Sequence, residues 1–406
     1  MQRVQVRKSE QISPDVTLTI DYDQPITKKE DVLATLTSFL GAGCELYRYK
    51  PRKLLYKYEH DDLTEYFLLG AVTYLSFPHP IFKKRFQLKS WYKDFYNDHK
   101  NDPNTKIRLI GLYHYDGLFV FVDFNIEDYI ENNINSSAAH VFSNDIFQAV
   151  KYGVFKKTDS RGNHITSVVG DKFLNYLNDT LEAGDVFSLF KQFNDSFAFG
   201  EWLKADISIE EMKQKNWYQW KGTEWPGWLL ESKFADFIRE KHCENKLEYI
   251  GHIKSADKLD FDLLFKEDNF YGDIKSSDIK NKSMPGNDKV NVIQAIQRHE
   301  KLWIVLFEHE TIKDTERNNE MAIARMRLKG EAYRPGGKIS YKTRMKHSVK
   351  YTRMRVFELN QINMNTVLSD FNQGRQQSGA KRKAKFMIKK REIDNYIIFS
   401  YDWQGN

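Results

Sequence analysis

The chain has 406 residues, 41% of them hydrophobic and 29% charged, with a formal net charge of +6. That is longer than the roughly 100–200 residues of one domain, so two domains are expected, each with enough apolar content for a core. No run of about 18 apolar residues is present to cross a membrane as a helix. The two cysteines, Cys44 and Cys243, stand far apart and outside any CxxC pair, which excludes a zinc ribbon, an iron–sulfur cluster and a disulfide scaffold.

In chain order, Val32, Leu33, Leu36, Phe39 and Leu40 recur at helical spacing before Gly41, which predicts a short helix over 29–40. Alternation at Ile107, Leu109 and Gly111, then at Leu118, Val120 and Val122, around His114-Tyr-Asp-Gly117 predicts a β-hairpin. Residues 136–153 read as helical or mixed, and Asp159-Ser-Arg-Gly-Asn163 reads as a turn into a short strand. His114, His140 and His164 lack metal-ligand spacing and are expected to be structural. The polar, partly basic stretches Phe142-Ser-Asn-Asp and Lys156 to His164 are loop-like and would suit target recognition. The first half is expected to be an α+β domain, 1–200. A tryptophan-rich stretch, Asn216-Trp-Tyr-Gln-Trp-Lys-Gly-Thr-Glu-Trp-Pro-Gly227, marks the junction with a second domain, 201–406.

In the second half, Leu229, Leu230, Phe234, Phe237 and Ile238 form an apolar stripe that predicts a helix over 228–242. A strand (249–252), a hairpin (258–275), a helix (288–299) entered through Met284-Pro-Gly-Asn-Asp288 with an Asn/Asp cap, and a buried strand (302–308) follow. No internal repeat or low-complexity tract is present. The hairpin sequence Lys258-Leu-Asp-Phe-Asp-Leu-Leu-Phe-Lys-Glu-Asp-Asn-Phe-Tyr-Gly-Asp-Ile-Lys275 sets carboxylates and a lysine on facing strands. Asp260 and Asp262 share one face of the first strand, and Tyr271, Asp273 and Lys275 share one face of the second. Folding at 266–269 brings Asp262 near Asp273 and Lys275 across the ladder. Two carboxylates with the Ile274 carbonyl make an oxygen-rich site of the kind Mg²⁺ takes. A lysine beside it could position or help deprotonate a water, while the metal neutralises charge on a phosphate. DxK tripeptides also arise by chance, and a lysine paired to a surface carboxylate contributes little energy.

The net charge is unevenly placed. From Met321 to Asn406 there are 19 Lys and Arg against 6 Asp and Glu, whereas the rest of the chain carries 43 against 50. Such asymmetry suggests a polyanionic partner for the C-terminal segment, a phosphate backbone above all. Basic residues interleave there with aromatic and polar ones, as in Tyr341-Lys-Thr-Arg-Met-Lys and Lys350-Tyr-Thr-Arg-Met-Arg, a mixture suited to a nucleic-acid surface.

The order helix, acidic strand, DxK strand, helix, apolar strand over about 227–309, with Asp262, ten intervening residues and Asp273-Ile-Lys275, resembles the core of PD-(D/E)xK nucleases, and type II restriction endonucleases among them. No proline precedes Asp262, where Phe261 stands, so Asp260 remains a competitor for the first metal ligand. The resemblance implies an α/β core with a mixed central sheet flanked by helices, and an α+β character for the chain as a whole. It implies catalytic Asp262, Asp273, Lys275 and Glu231, with Mg²⁺ on Asp262, Asp273 and the Ile274 carbonyl. Glu231 takes the place of a helix glutamate that assists the metal, with Glu240 or Glu244 as alternatives. Gln294 and Gln297, one turn apart on the next helix, could face the metal site or DNA. The C-terminal run from Phe371 to Lys389 is similar to the last portion of restriction endonucleases. Within it Gln373, Arg375, Gln376, Gln377, Arg382 and Lys385 are candidate contacts, since Arg, Gln and Asn pair with base edges and Lys neutralises phosphate.

The function expected is site-specific hydrolysis of double-stranded DNA by a homodimer, with a DNA methyltransferase linked genetically rather than as a stable partner. A modification-dependent, repair or phage or transposon nuclease with the same core, or a non-catalytic DNA-binding protein, are the alternatives. A cytoplasmic setting is expected, because the N-terminus lacks the apolar core and cleavage site of a signal peptide.

Overall fold

The computed structural model describes residues 8–60, 63–130, 138–159, 161–180, 185–251, 259–314, 319–332, 344–371 and 383–403. The chain divides into two compact units, Met1–Gly184 and Asp185–Asn406.

The first unit opens with a small hairpin, β1 (Ser9–Ile12) and β2 (Leu18–Asp21), followed by α1 (Lys29–Leu40). Gly41 at φ 82° ends that helix, its N–H donating to the Thr37 carbonyl, a backbone state that glycine adopts without a Cβ clash. Then come β3 (Cys44–Lys50), β4 (Lys53–His60), β5 (Leu63–Tyr74), β6 (Lys83–Gln87), α2 (Tyr92–His99), β7 (Thr105–Tyr115) and β8 (Leu118–Phe124). The unit ends with α3 (Ile126–Ile130), β9 (Ala138–Phe142), α4 (Ser143–Tyr152), β10 (Val154–Thr158), β11 (His164–Val169) and α5 (Phe173–Leu177). Seven strands run in the order β10-β11-β8-β7-β5-β4-β3, with β6 branching from β5 and β9 from β6. The β5–β7 pair is parallel and the other pairs are antiparallel.

The hairpin over 106–124 forms as its pattern predicts, turning through Asp116 and Gly117, both at positive φ. Its first strand does not alternate in burial, however: residues 107–113 are all buried. A central strand is covered on both faces, so its side chains need not alternate between core and water. The core joins Leu36 and Leu40 of α1 to Phe67, Ile110, Phe121 and Phe173. The stretch from Phe142 is a strand end leading into α4 rather than a loop, and Lys156 to Thr158 lies in β10. Buried Lys157 is 2.7 Å from buried Asp145, so that lysine of the expected recognition stretch is internal while Lys156 stays exposed.

The second unit begins at α6 (Asp185–Ser196), ahead of the expected boundary at 200. The reason is aromatic: Phe187 packs on Trp303 and Phe399, and Phe193 on Phe234 and Phe307. Then follow β12 (Trp202–Lys204), α7 (Ala205–Gln214), α8 (Trp225–Glu240), β13 (Leu247–Tyr249), β14 (Leu263–Phe265), β15 (Phe270–Asp278), β16 (Ser283–Asp288), α9 (Lys289–His299) and β17 (Lys301–Lys313). The remainder is α10 (Glu320–Leu328), β18 (Lys346–Asn360), α11 (Met364–Val367), β19 (Leu368–Phe371), β20 (Lys385–Lys389) and β21 (Ile397–Asp402). The main sheet runs β12-β18-β17-β15-β14-β13 with β21 added on β18, and β16-β20-β19 forms a second sheet. Strands β15 and β17 pair in parallel, joined through β16 and α9. The chain is thus mixed α/β, with helices and mixed sheets in both units. Among the described residues no helix is long and apolar enough to cross a membrane.

Two local readings change. The segment Met284–Asp288 is strand rather than helix entry: it pairs with β20 through a register shift at 285–288, and Asp288 makes no side-chain cap for α9. The basic run at 350–355 is not a surface. Arg353 and Arg355 are buried, each 2.8 Å from Glu308 Oε2, and Lys390 Nζ lies 2.5 Å from Glu308 Oε1. Their charge is consumed by burial against acids of the same sheet.

The first unit holds a comparable knot. Arg108 Nε pairs with Glu65, and its NH1 lies 2.7 Å from Asp123 Oδ2. Replacing Arg108 by methionine leaves two buried carboxylates without their cation, a loss on the order of 3–5 kcal/mol. Urea unfolding of the full chain should show a matching fall for this unit, and a change under 1 kcal/mol would mean that the pair is not buried as described.

Candidate functional site

Four side chains from three places in the second unit meet beside β15. Glu231 sits mid-helix on α8, where the stripe Leu230, Phe234, Phe237 and Ile238 buries the same side of the helix. The first turn of α8 is tied to β15: the Tyr351 hydroxyl donates to the Pro226 carbonyl at 2.9 Å and meets the Ser276 hydroxyl at 3.0 Å. Asp262 lies just before β14. The register Leu263↔Gly272, continued by one residue, sets it opposite Asp273. Asp273 and Lys275 alternate along β15 on one face, as a strand dictates.

The contacts are specific. The Ile274 N–H donates to Asp262 Oδ2 at 2.9 Å, and the Asp262 carbonyl accepts from Ile250 N–H at 2.7 Å, so Asp262 is pinned between two backbones. Residue 274 therefore contributes an N–H to the site, a group the sequence did not point to. Lys275 pairs with Asp273 through Oδ2. Asn287 of β16 donates to Asp273 Oδ1 at 2.7 Å. The Tyr249 hydroxyl donates to Glu231 Oε2 at 2.7 Å, and the Tyr218 hydroxyl lies 3.2 Å from that of Tyr249 while reaching the Gly251 carbonyl. A Cβ at Gly251 would come within 2.5 Å of the Tyr249 hydroxyl and 2.9 Å of Asp262 Oδ1, so the close approach there needs glycine.

Electrostatics follow from crowding. Burial pushes the Glu231 carboxyl up to about 7, with Tyr249 and Lys275 opposing and Asp273 adding to the shift. Burial, then Asp273 and Glu231, hold the Asp262 carboxyl well above the usual carboxylate range. For Lys275 burial acts downward, yet Asp273 and Asp262 outweigh it and keep the ammonium charged. Two buried carboxyl groups and the half-buried Asp262 outnumber the one lysine, an excess that proton uptake relieves and that a divalent cation would relieve in its place. Among the described residues no three His, Cys, Asp or Glu side chains are grouped as metal ligands. The available donors are two carboxylates and a main-chain carbonyl, an all-oxygen set that suits Mg²⁺, which keeps several waters of its own.

The rivals fall away from this group. Asp260 is exposed, and Glu240 and Glu244 lie on the surface. Gln294 is half-buried and Gln297 exposed on α9, and neither makes a side-chain hydrogen bond to the four residues. Lys385, on β20, lies 4.0 Å from Asp288, with Lys383 nearer at 3.5 Å. Gln373, Arg375, Gln376, Gln377 and Arg382 lie outside the described residues. Tyr218, Tyr249 and Asn287 were not found by sequence reading. Tyr218 lies in the tryptophan-rich stretch taken as a junction, and nothing in local spacing marks a tyrosine or asparagine as a carboxylate's partner.

Residues 64–177, within the first unit, match the family model described as MTaX1, methylase-associated X1. No curated protein and no solved structure matches the chain. The four grouped residues lie outside the matched segment.

The Glu231 shift has a measurable sign. A carboxyl raised from 4.5 to about 7 on folding binds its proton more tightly in the folded chain, so stability is lost as pH rises from about 4.5 to 7. In the metal-free protein the wild type should lose on the order of 3 kcal/mol across that window relative to Glu231→Gln. Thermal unfolding of both at several pH values checks this, and parallel profiles would contradict it.

Proposed function

We propose that the chain is a Mg²⁺-dependent, site-specific endonuclease of double-stranded DNA with a PD-(D/E)xK core, acting as a homodimer in a restriction–modification setting. The observation that carries the reading is the convergence of Glu231, Asp262, Asp273 and Lys275 around one strand, with more buried acid than base. The succession α8, β13, β14, β15, α9, β17, closed by a parallel β15–β17 pair, supports it. Similarity of residues 64–177 to a methylase-associated family supports the restriction setting and a methyltransferase encoded alongside.

In this reading Asp262, Asp273 and the Ile274 carbonyl would hold Mg²⁺, which would supply charge neutralisation at the phosphate and a more acidic water. The Ile274 N–H holds Asp262 Oδ2 and so fixes the orientation of that carboxylate. Lys275 keeps its proton and offers a fixed ammonium to orient the attacking water or a phosphate oxygen. Asn287 holds the other Asp273 oxygen, so the carboxylate does not rotate to take both positions at Lys275. Glu231, oriented by Tyr249, completes the acidic wall and orders water at the site. The C-terminal basic residues, including Lys385, would contact the DNA backbone and base edges.

The test is incubation of purified protein with unmethylated phage DNA, with Mg²⁺ and separately with EDTA, beside Asp273→Asn. Discrete Mg²⁺-dependent fragments, reduced at least 100-fold in the variant while DNA binding persists, are expected. A smear would redirect the reading to a nonspecific or repair nuclease. If neither this DNA nor its methylated form is cut but both are bound, the protein is a binding module.

A further inference from the structure

We propose that the half-exposed face of the β6–β9 strand pair in the first unit is a binding surface for the phosphate backbone of duplex DNA, built from Lys83, Arg85, His140, Arg161 and His79. The register sets Arg85 opposite His140 and Lys83 opposite Phe142. On its other side Arg85 faces Thr73 of β5. Residues 84 and 86, on the opposite face, are buried, so alternation brings Lys83, Arg85, His140 and Phe142 to the side that water reaches. The turn between β10 and β11 adds exposed Arg161, and the loop before β6 adds exposed His79.

None of Lys83, Arg85, His140, Arg161 and His79 has an ion-pair partner among the described residues, whereas buried Lys84 and Lys157 of the same unit are paired with Asp23 and Asp145. The acids nearby are engaged: Asp145 by Lys157, Asp128 by His164, and Asp159 by the backbone N–H groups of Arg161 and Asn163. Burial and then Lys83, Arg161, His79 and Arg85 press the His140 imidazole down to about 4, and Arg161 likewise acts against the charge on Lys83. Lys83, Arg85 and Arg161 are like charges gathered around a neutral His140, and an anion laid on this face relieves their mutual repulsion. A flat strand surface with several separated cations suits a repeating polyanion better than a single small anion, and fixed cations that each displace a condensed counterion make such binding steeply dependent on salt.

The choice of DNA over other polyanions rests on the nuclease reading; the surface itself does not. The experiment measures binding of the full chain to a fluorescein-labelled 30-base-pair duplex by anisotropy, in EDTA, over a range of salt. The patch variant carries Lys83→Gln, Arg85→Gln and Arg161→Gln. The control variant carries Lys28→Gln, Lys29→Gln and Lys106→Gln, three exposed lysines of the same unit, for an equal change in net charge. Affinity should fall at least tenfold in the patch variant and less than twofold in the control, and the slope of log K against log salt should flatten by about 2–3 in the patch variant alone.

Equal losses in both variants, no loss in the patch variant, or no duplex binding by the wild type would overturn the proposal. So would a patch variant that keeps duplex binding while losing binding to vesicles containing phosphatidylserine. If the triple variant fails to fold, Arg161→Gln alone, in an exposed turn, must flatten the slope by about 1, and an unchanged slope would overturn the proposal. A weakened patch variant of a wild type that binds DNA yet never cuts it leaves this surface standing while the nuclease reading fails.

Discussion

The parallel pairing of β15 with β17 is the constraint from which the second unit follows. A parallel neighbour cannot be reached by a tight turn, so the chain must leave the sheet and return, which it does through β16 and α9. The other edge of β15 is taken by the antiparallel β14, whose lead-in is gripped by the Ile274 N–H. With both edges held, β15 has one conformation, and the alternation of Asp273 and Lys275 along it becomes a fixed geometry. The burial of α8 against this strand then brings in Glu231, with Tyr249 to hold it.

Buried charge does two different things in this unit, and the sign of the shift separates them. At Glu308 burial acts to raise the carboxyl, but Arg355, Arg353 and Lys390 outweigh it and the group is held low. That cluster, with Asp394 3.2 Å from Arg355 as a second acid, ties β17, β18 and the segment after β20 together, and it accounts for cations that looked free to meet DNA. Around Glu231 and Asp262 the acids outnumber the base, and both carboxyls are held high. Carboxyls crowded in a folded interior and held toward their protonated form are a cost the fold bears, which is why they mark a functional site better than composition does. The β6–β9 face of the first unit carries the opposite sign of the same signature.

Much of the candidate site was legible because strand alternation and helix periodicity are local. The interval between Asp262 and Asp273-Ile-Lys275, with a turn at 266–269, is enough to place the two acids across a ladder, and the stripe from Leu229 to Ile238 is enough to call for a buried helix around Glu231. The first-unit hairpin was legible for the same reason, through Asp116-Gly117. The stretch at 284–288 was not, since proline, glycine, asparagine and aspartate suit a helix entry as well as a bulged strand, and only pairing with β20 decides. The aromatic segment at 216–227 read as a linker because its partners, Tyr249 and Gly251, are distant in sequence.

The sequence by itself determined that the chain holds two units with real cores, and that Asp262, Asp273 and Lys275 belong to one hairpin, because these depend on composition and on spacing within about fifteen residues. Only the tertiary structure decided that Asp262 rather than Asp260 turns to Ile274, that Glu231 rather than Glu240 or Glu244 reaches the group, and that Arg353 and Arg355 are spent inside the fold. Those outcomes depend on which distant strand or helix lies alongside, and the energy of a charge is set by its neighbours and its access to water, neither of which is written locally in the chain.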